Sequence, residues 1–489
     1  MDVARNGTAA QTDAAANSHR WFALGALCLG VLMDVIDTTI VNVALPSIKA
    51  DLGFSPTNLA WVVNAYVLTF GGCLLLSGRL GDLYGHRRLF LVGIAAFSLT
   101  SLAAGLATTQ AVLIVARAAQ GIAGAVVAAV ALSLIVDLFP EPDERAKAMG
   151  IYGFVCAGGG SIGAMLGGLL TGMLNWHWVF LVNLPIGVAV FALSLRLVPD
   201  THNAPANPRL DFAGAATITT SLILAVYAIV NGNDAGWISP ATLGLLGIAV
   251  GLFVAFIAIE ARVREPLMPL ALFRLRNVAT ANIVGVLWAA SMFAWFFLSA
   301  LYMQQVLGYE PFKVGLAFVP ANVIMAIFSL GLSAKMVMRF GLRLPLAAGL
   351  LLAGAALVLF ARAPADGSFV VDVLPGMLLL GLGGGMAFNP VLLAAMGDVD
   401  PRDSGLASGL VNTAFMMGGA LGLAVLASLA AARTDALAAA HVAPALALNG
   451  GYHVAFALGA AFAIAAATIS WIGIRARTQP TTADAGVAH

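Results

Sequence analysis

Three charged side chains lie deep inside apolar stretches of a chain that is otherwise poor in charge. Asp34 and Asp37 interrupt the first apolar run, and Arg117 interrupts the fourth. If these runs cross a membrane, a charge near the bilayer centre costs about 2.5 to 3.5 kcal/mol on insertion scales, so it indicates a function or a pairing partner. Two carboxylates three residues apart share one face of a helix. That face is expected to line a cavity or to meet Arg117.

Two roles remain open for these carboxylates. Burial and mutual repulsion favour the protonated form of a carboxyl group, whereas a nearby guanidinium favours the ionised form. A carboxyl group balanced between these effects can load and unload a proton, and Arg117, which stays protonated, would tune it. The alternative is a structural Asp and Arg pair that never titrates, or an Asp that reaches water near the helix end.

The elements that must position these residues are membrane-spanning helices. Of the 489 residues, 61% are hydrophobic and 10% are charged, whereas about 25% of the residues in a soluble domain are charged. A helix needs about 20 mostly apolar residues to cross a bilayer core. The sequence therefore predicts an all-α polytopic membrane protein with fourteen transmembrane helices. The predicted runs are 21–45, 58–78, 88–107, 111–137, 146–170, 178–198, 210–231, 239–259, 278–303, 313–336, 343–361, 372–396, 405–432 and 453–473.

The distribution of basic residues orients these helices. With the N-terminus inside, 19 Lys and Arg residues fall in cytoplasmic loops and tails and 4 fall outside, with Arg117 left within a span. Cytoplasmic loops of membrane proteins carry such an excess. We therefore expect a multi-pass protein of the cytoplasmic membrane with both termini in the cytoplasm. Abundant alanine and a preference for Arg over Lys indicate a bacterial host.

A faint internal repeat divides the chain. The segment from Asp82 to Arg87, with Gly85 at its centre, is echoed by the segment from Met338 to Arg343 eight spans later. Repeated halves around a midplane site are a common transporter plan. The expected organisation is a disordered cytoplasmic tail (1–20), a six-helix bundle (21–198), an inserted helix pair (210–260), a second six-helix bundle (278–473) and a cytoplasmic tail (475–489).

A short charged hairpin follows the second span. It contains Gly78, Asp82, Gly85, Arg87 and Arg88. Glycine allows a tight turn, and Asp82 can face a helix N-terminus. Because interfacial ion pairs are individually weak, this spacing favours a cytoplasmic gate that can be made and broken.

Glycines recur along the fifth span. Gly159, Gly163 and Gly167 are spaced four residues apart, with Gly168 alongside. Small residues at this spacing let helices approach closely. Tight packing and a hinge or gate are both open as their role.

Side chains in later spans could contact a ligand. Met292 and Phe296 share a face of the ninth span with Trp288, Ser299 and Met303. A face of this kind is also typical of lipid-facing or core surfaces. Polar side chains in a bundle need hydrogen-bond partners, which makes three asparagines further candidates for the substrate cavity: Asn322, Asn389 and Asn412.

Composition excludes several classes of function. Lys plus Arg (24) and Asp plus Glu (23) nearly cancel, so nucleic acid is not an expected partner. The three cysteines are far apart in apolar stretches and the seven histidines are scattered, which suits neither a disulfide framework nor a metal site. No phosphate-binding loop or catalytic triad spacing is visible. We expect a monomer without metal or cofactor, in contact with lipid, small molecules and protons.

These segments together resemble the major facilitator superfamily, and more narrowly its fourteen-span drug:proton antiporters of the EmrB/QacA type. The resemblance extends from about Trp21 to Ile474. Its segments are Ile36 to Pro46 in the first helix, Gly78 to Arg88 in the loop, Arg117 to Gly121 in the fourth helix, Trp176 to Gly187, and Gly405 to Thr413.

Four positions depart from the pattern of that group. Ala164 stands where the fifth-helix motif usually carries proline, so a kink caused by proline is not expected there. Asp34 is outside the usual first-helix motif and could be a second proton or cation site. His177 and Phe415 stand where relatives commonly carry arginine.

The resemblance implies proton-driven efflux of small, lipophilic drugs or toxic compounds by alternating access, with Arg117 associated with proton coupling. A dedicated exporter of one endogenous metabolite or antibiotic is the alternative. A membrane-embedded enzyme is a more remote one, because no catalytic constellation is visible.

Overall fold

The computed structural model describes residues 2–55, 57–199, 211–263, 266–328, 332–396, 399 and 404–475, and the side chain of Asp82 lies outside the described part. Helices dominate the described residues. They are α1 Asp2–Leu52, α2 Trp61–Tyr84, α3 His86–Gly105, α4 Gln110–Leu138, α5 Pro142–Met173, α6 Trp178–Leu181, α7 Asn183–Leu197, α8 Phe212–Ala235, α9 Pro240–Glu260, α10 Arg276–Leu301, α11 Pro311–Ile327, α12 Ser333–Phe340, α13 Arg343–Phe360, α14 Leu374–Met396, α15 Ser404–Ala439 and α16 Pro444–Gly473.

The first helix is longer than its apolar run. Helix α1 begins at Asp2, whereas the candidate membrane span within it begins at Arg20. Residues 2–19, which the sequence led us to expect as a disordered tail, are helical. Six of these residues are alanine, the strongest helix former, so the run can extend an existing helix without apolar packing.

All fourteen predicted apolar runs overlap a helix. Among the described residues, eleven helices are long and apolar enough to cross a membrane. The three remaining runs lie on α2, where Asn58–Leu74 is a shorter apolar helix, on α5, and on α11 and α12, where Pro311–Ile327 is a shorter apolar helix.

We call α1 to α7 the first group of helices and α10 to α16 the second group; α5 packs on α11 and α2 packs on α15, so the two groups touch directly. In the first group α1 packs on α5, α4 and α7, and α4 also packs on α2 and α3. In the second group α10 packs on α15 and α16, while α13 packs on α14 and α16. Helices α8 and α9 pack on each other, and α8 also contacts α2 and α15. The inserted pair therefore touches both groups.

The faint sequence repeat has a structural counterpart. Gly85 and Gly341 both adopt a positive φ, +91° and +72°, a backbone conformation that glycine adopts without strain. Two residues after each glycine an arginine lies in the first turn of the next helix. Arg87 donates to the Leu195 carbonyl near the end of α7 at 2.5 Å, and Arg343 donates to the Trp471 carbonyl near the end of α16. In both groups a cation therefore meets the negative end of a helix dipole.

Candidate functional site

Asp37 is the centre of a hydrogen-bond network in the first group of helices. Its side chain is fully buried and forms an ion pair with Arg117 on α4. The other carboxylate oxygen, Oδ1, accepts hydrogen bonds from Gln120 Nε2 and Asn183 Nδ2, both at 2.8 Å. Both oxygens of a buried carboxylate are thus satisfied, as a charge in the interior requires.

Arg117 connects this network to α2. Its Nε donates to the Val62 carbonyl at 3.0 Å, and Nη1 also donates to Gln120 Oε1 at 2.6 Å. The guanidinium carbon lies 4.3 Å from the centre of the Tyr66 ring and 5.7 Å from that of Phe180. Aromatic faces stabilise a desolvated cation, so the charge of Arg117 is shared between one carboxylate and two rings.

Asp34 binds a different partner. It accepts a hydrogen bond from the Tyr66 hydroxyl and is 6% exposed. Gly124 on α4 makes room for this bond, because a Cβ at that position would lie 2.5 Å from Asp34 Oδ1 and 2.6 Å from Tyr66 Oη. Tyr66 therefore links the two aspartates: its hydroxyl binds Asp34, and its ring lies against the guanidinium that pairs with Asp37.

The glycines of α5 bring that helix into contact with two others. A Cβ at Gly163 would lie 2.8 Å from the Ile36 carbonyl oxygen, and one at Gly167 would lie 2.5 Å from that of Ile40. Gly159 similarly faces α1 side chains. On a second face, a Cβ at Gly168 would lie 2.6 Å from the Pro311 carbonyl oxygen of α11. The close helix packing expected from the sequence is present, and three of the four glycines face α1, the helix that carries the two aspartates.

The structure places the loop motif away from the Asp37 network. Gly85 forms the turn between α2 and α3, and Arg87 binds α7, as described above. Arg88 is exposed, and the space around Gly78 is open. Asp82 can be placed only by its backbone, within α2.

The residues expected to contact substrate are spread over the second group of helices. Phe296 stacks on Phe318 with ring centres 5.4 Å apart. Met292 is half-buried and packs against a cluster of buried apolar side chains that includes Trp288. Asn322 is buried on α11, and its Nδ2 has no partner among the described residues. Two further asparagines are half-buried and engaged in interactions: Asn389 and Asn412. Asn412 lines a crevice with Trp288, Phe388 and Phe415.

Sequence reasoning missed several members of the network. Tyr66, Ser101, Gln120 and Asn183 were not selected as site residues, yet all are buried and hydrogen-bonded around the two aspartates. Their common signal is a polar group within or beside an apolar run, which in a bundle must find a partner. Many other polar residues of this sequence also lie within or beside apolar runs, so this signal alone does not single out these four.

A cavity of about 240 Å³ lies at one end of the molecule, between the two groups. Its walls combine apolar side chains, such as Phe297 and Leu301, with the charged side chains of Lys49, Asp234 and Asp435. Residues of α1, α8, α10, α15 and α16 all contribute to the lining. The cavity therefore depends on how both groups and the inserted pair are placed.

The sequence matches known transporters over most of its length. A family model described as Major Facilitator Superfamily matches residues 27–423. Puromycin resistance protein pur8 of Streptomyces alboniger is 38% identical over 467 residues, covering 94% of this chain and 92% of that protein. Cephamycin export protein CmcT of Amycolatopsis lactamdurans is 39% identical over 416 residues, covering 84% and 85%. The crystal structure of nucleoside transporter NupG shares the fold, with a TM-score of 0.64 at 12% identity over 93% of this chain and 100% of that one.

Proposed function

The chain belongs to the Major Facilitator Superfamily, and from that premise we propose that it exports small lipophilic drugs or antibiotics across the cytoplasmic membrane in exchange for protons. The observation that carries the proton coupling is the buried network in which Asp37 pairs with Arg117 and Asp34 binds Tyr66. The export of drug-like molecules is supported by relatives named for puromycin resistance and cephamycin export.

Protonation of Asp37 would change the forces between helices. A neutral carboxyl group loses its attraction for Arg117, which keeps its bonds to the Val62 carbonyl and to Gln120. The guanidinium would then hold α2 and α4 together while releasing α1. Helix α2 also meets the second group, since a Cβ at Gly71 would lie 3.0 Å from Met416 on α15. A protonation event inside the first group can therefore reach the contact between the groups.

Asp34 is suited to take part in the same exchange. Its hydrogen-bond partner Tyr66 stacks on Arg117, so the state of one aspartate acts on the other through two side chains. We propose that Asp34 provides either a second proton site or a counter-charge for a cationic substrate. Because Asp37 is fully enclosed and Asp34 is slightly exposed, protons would reach Asp34 first.

The topology that we propose has fourteen spans and cytoplasmic termini. Eleven candidate spans, together with the helices on the three remaining apolar runs, support this count. The excess of basic residues in the loops of one side supports the orientation. An even number of spans agrees with both termini on one side.

In that orientation, contacts between the two groups lie near the outer side. Gln304 Nε2 donates to the Val43 carbonyl at 2.9 Å across the two groups, and α5 approaches α11 at Gly168 and Gly315. These contacts lie at the ends of the helices that the charge pattern assigns to the outer side. We propose that they keep the outer side closed, so that substrate enters this conformation from the cytoplasm.

Buried polar atoms without partners give the substrate possible contacts. They include Asn64 on α2, Asn322 on α11 and Thr413 on α15, each with an unpartnered atom among the described residues. These helices contact the opposite group. Buried polar groups without partners are rare in folded proteins, and a polar substrate atom would satisfy them.

A dedicated exporter of one antibiotic is the second candidate. The relatives pur8 and CmcT are each named for a single antibiotic class. The same network would drive both kinds of export, so only the range of substrates distinguishes them.

The test is drug-driven proton flux in liposomes that contain a pH dye. The panel should include neutral drugs, lipophilic cations, puromycin and a cephamycin, added to wild type, Asp37→Asn and Asp34→Asn. We expect flux in wild type and its loss in Asp37→Asn, with Asp34→Asn losing cationic substrates or one proton per cycle. Glu141→Gln is the matched control, because Glu141 is exposed and makes no capping bond at the start of α5.

Three outcomes would count against parts of this proposal. Normal flux in Asp37→Asn would remove Asp37 from proton coupling. Normal export of every substrate by Asp34→Asn would leave Asp34 with a structural role. Transport without proton movement would mean that another gradient drives export.

A further inference from the structure

A second pair of buried acids lies outside the network of Asp37. Asp211 immediately precedes α8, and Glu260 is the last residue of α9. They are 6% and 3% exposed. Because α8 and α9 form an antiparallel hairpin, the beginning of the first helix meets the end of the second. The pair thus lies where the chain enters and leaves the inserted hairpin.

Each acid uses one oxygen to hold the backbone. Asp211 Oδ1 accepts a hydrogen bond from the Gly214 amide at 2.7 Å and caps α8. Glu260 Oε2 accepts one from the Met268 amide at 2.9 Å. Met268 belongs to the segment that leads from the hairpin into α10. Asp211 therefore holds the start of the hairpin, and Glu260 holds the connection that follows the hairpin.

The remaining oxygens face each other. Asp211 Oδ2 and Glu260 Oε1 are buried and have no hydrogen-bond partner among the described residues. They lie 2.4 Å and 2.7 Å from the point that a Cβ of residue 214 would occupy, so Gly214 leaves the space in which they meet. Two carboxylates this close repel each other strongly when both are ionised. A single proton between them would replace that repulsion with a hydrogen bond.

Few other charged side chains are described on the packed elements. Asp211 is the charged group that acts on Glu260. Arg79 lies on α2 and Arg262 just beyond α9; Arg79 is already engaged in an interaction. Among the described residues, the charge at the pair is therefore set mainly by its own two carboxyl groups.

We propose that Asp211 and Glu260 share one proton and act as a pH-sensitive latch that fastens the inserted hairpin to the segment leading into the second group of helices. Leu267, next to the anchored Met268, packs with Ala215 of α8 and with Leu76 and Leu80 of α2. Loss of the shared proton drives the two carboxylates apart and loosens this packing. The latch therefore controls how firmly the hairpin holds the last turns of α2, where the Gly78 to Arg88 motif begins. This proposal does not depend on the substrate or on the coupling role of Asp37.

Hydrogen exchange of the full-length protein in detergent tests the latch. Peptides covering residues 266–270 should be followed at about pH 6 and about pH 9, with correction for the intrinsic pH dependence of amide exchange. In wild type we expect protection of this segment to fall by about tenfold or more at the higher pH, because local opening no longer breaks a shared hydrogen bond. Protection that is equal at both pH values would overturn the proposal.

Glu260→Gln separates a latch from a merely structural contact. The glutamine oxygen can still accept from Met268, and its amide can donate to Asp211 at any pH, so the segment should stay protected at both pH values. Asp211→Asn should behave alike, since asparagine keeps the helix cap and can donate to Glu260. Asp234→Asn, at the exposed far end of α8, should retain the wild-type pH dependence.

Infrared spectroscopy gives a second readout that does not rely on dynamics. The measurement is made in the Asp34→Asn background, which removes the other carboxyl group proposed to bind a proton. In this background the carbonyl stretch of a protonated carboxyl group should disappear between the same two pH values, and it should be absent at either pH once Glu260→Gln or Asp211→Asn is added. A Glu260→Gln protein that keeps this band, or that keeps the wild-type pH dependence of exchange, would show that the proton resides elsewhere.

Discussion

At the scale of single residues, the first group of helices surrounds one aspartate completely. Asp37 is paired with a guanidinium and with two amide groups, and neither carboxylate oxygen reaches solvent. Removing one member of a buried ion pair is costly, because the other is left as an uncompensated charge. Arg117 and Asp37 should therefore depend strongly on each other.

We predict that Arg117→Ala lowers stability by about 3 to 5 kcal/mol, because it strands the Asp37 carboxylate in the interior. The double variant Arg117→Ala with Asp37→Asn should recover part of this loss, since asparagine carries no charge and can still bond to Gln120 and Asn183. Thermal unfolding of the four proteins in detergent forms a double-mutant cycle. Strictly additive losses would mean that the pair does not interact, contrary to the structure.

At the scale of elements, close helix packing determines where the site forms. The glycines of α5 let the α1 backbone approach at Ile36 and Ile40, on either side of Asp37. On α4, Gly124 provides the space in which Asp34 and Tyr66 meet. The carboxylates are thus held by helices that only glycine allows to come so near.

Two glycines of α5 offer a matched test of this packing. A Cβ at Gly163 would lie 2.0 Å from Thr39 Oγ1 and 2.8 Å from the Ile36 carbonyl oxygen, whereas a Cβ at Gly158 would meet nothing within 4 Å. We predict that Gly163→Ala destabilises the protein by about 1 to 3 kcal/mol through overpacking and slows transport. Gly158→Ala should be neutral or stabilising by up to about 1 kcal/mol, because alanine favours a helix. Melting temperatures in detergent measure both, and equal shifts in the two variants would refute the packing argument.

At the scale of the whole molecule, the two groups of helices meet along several lines. Helix α5 packs on α11, α2 packs on α15, and the hairpin helix α8 contacts both α2 and α15. The cavity of about 240 Å³ lies where α8 and α15 approach α1 and α10. In alternating access such contacts must separate and re-form, so a covalent link across one of them should stop transport.

We predict that Gly172→Cys with Phe312→Cys forms a disulfide between the groups. A Cβ at Gly172 would lie 4.0 Å from that of Phe312, within the separation that disulfides require, and both residues are exposed. Oxidation should abolish drug-driven proton flux, and reduction should restore it. Each single cysteine variant controls for the native cysteines.

A failure to cross-link would show that α5 and α11 are farther apart at these positions than the structure has them. A cross-linked protein that still transports would show that this contact does not open during the cycle. In either case the proposed closure of the outer side would need a different set of contacts.

Much of the architecture could be predicted from local composition. The apolar runs, the membrane class and the three anomalous charges Asp34, Asp37 and Arg117 are visible in short windows, because hydrophobic burial acts on each segment separately. The superfamily resemblance is confirmed by the family model and by relatives over most of the chain. The exact number of spans stays a prediction, as do the roles of the site residues.

The limits of sequence reasoning are visible at particular residues. Nothing local to Asp34 indicates that its partner is Tyr66, 32 positions away, or that Asn183, 146 positions from Asp37, completes the network. The facing acids Asp211 and Glu260 lie at the two ends of the predicted inserted pair. The sequence did not indicate that they meet, because each looks like an ordinary charged residue at the edge of a loop. Residues 2–19, on the other hand, were judged by their low hydrophobicity rather than by their alanine content.

The sequence by itself therefore determined which segments are apolar helices, which of them carry charge, and to which superfamily the chain belongs. Only the tertiary structure decided which charges meet, which glycines allow two backbones to touch, and which polar atoms remain without partners. The physical reason is that transfer of a segment into the membrane depends on its own composition. Hydrogen bonds and ion pairs act over a few ångströms between segments that are far apart in the chain, so they exist only once the helices have packed.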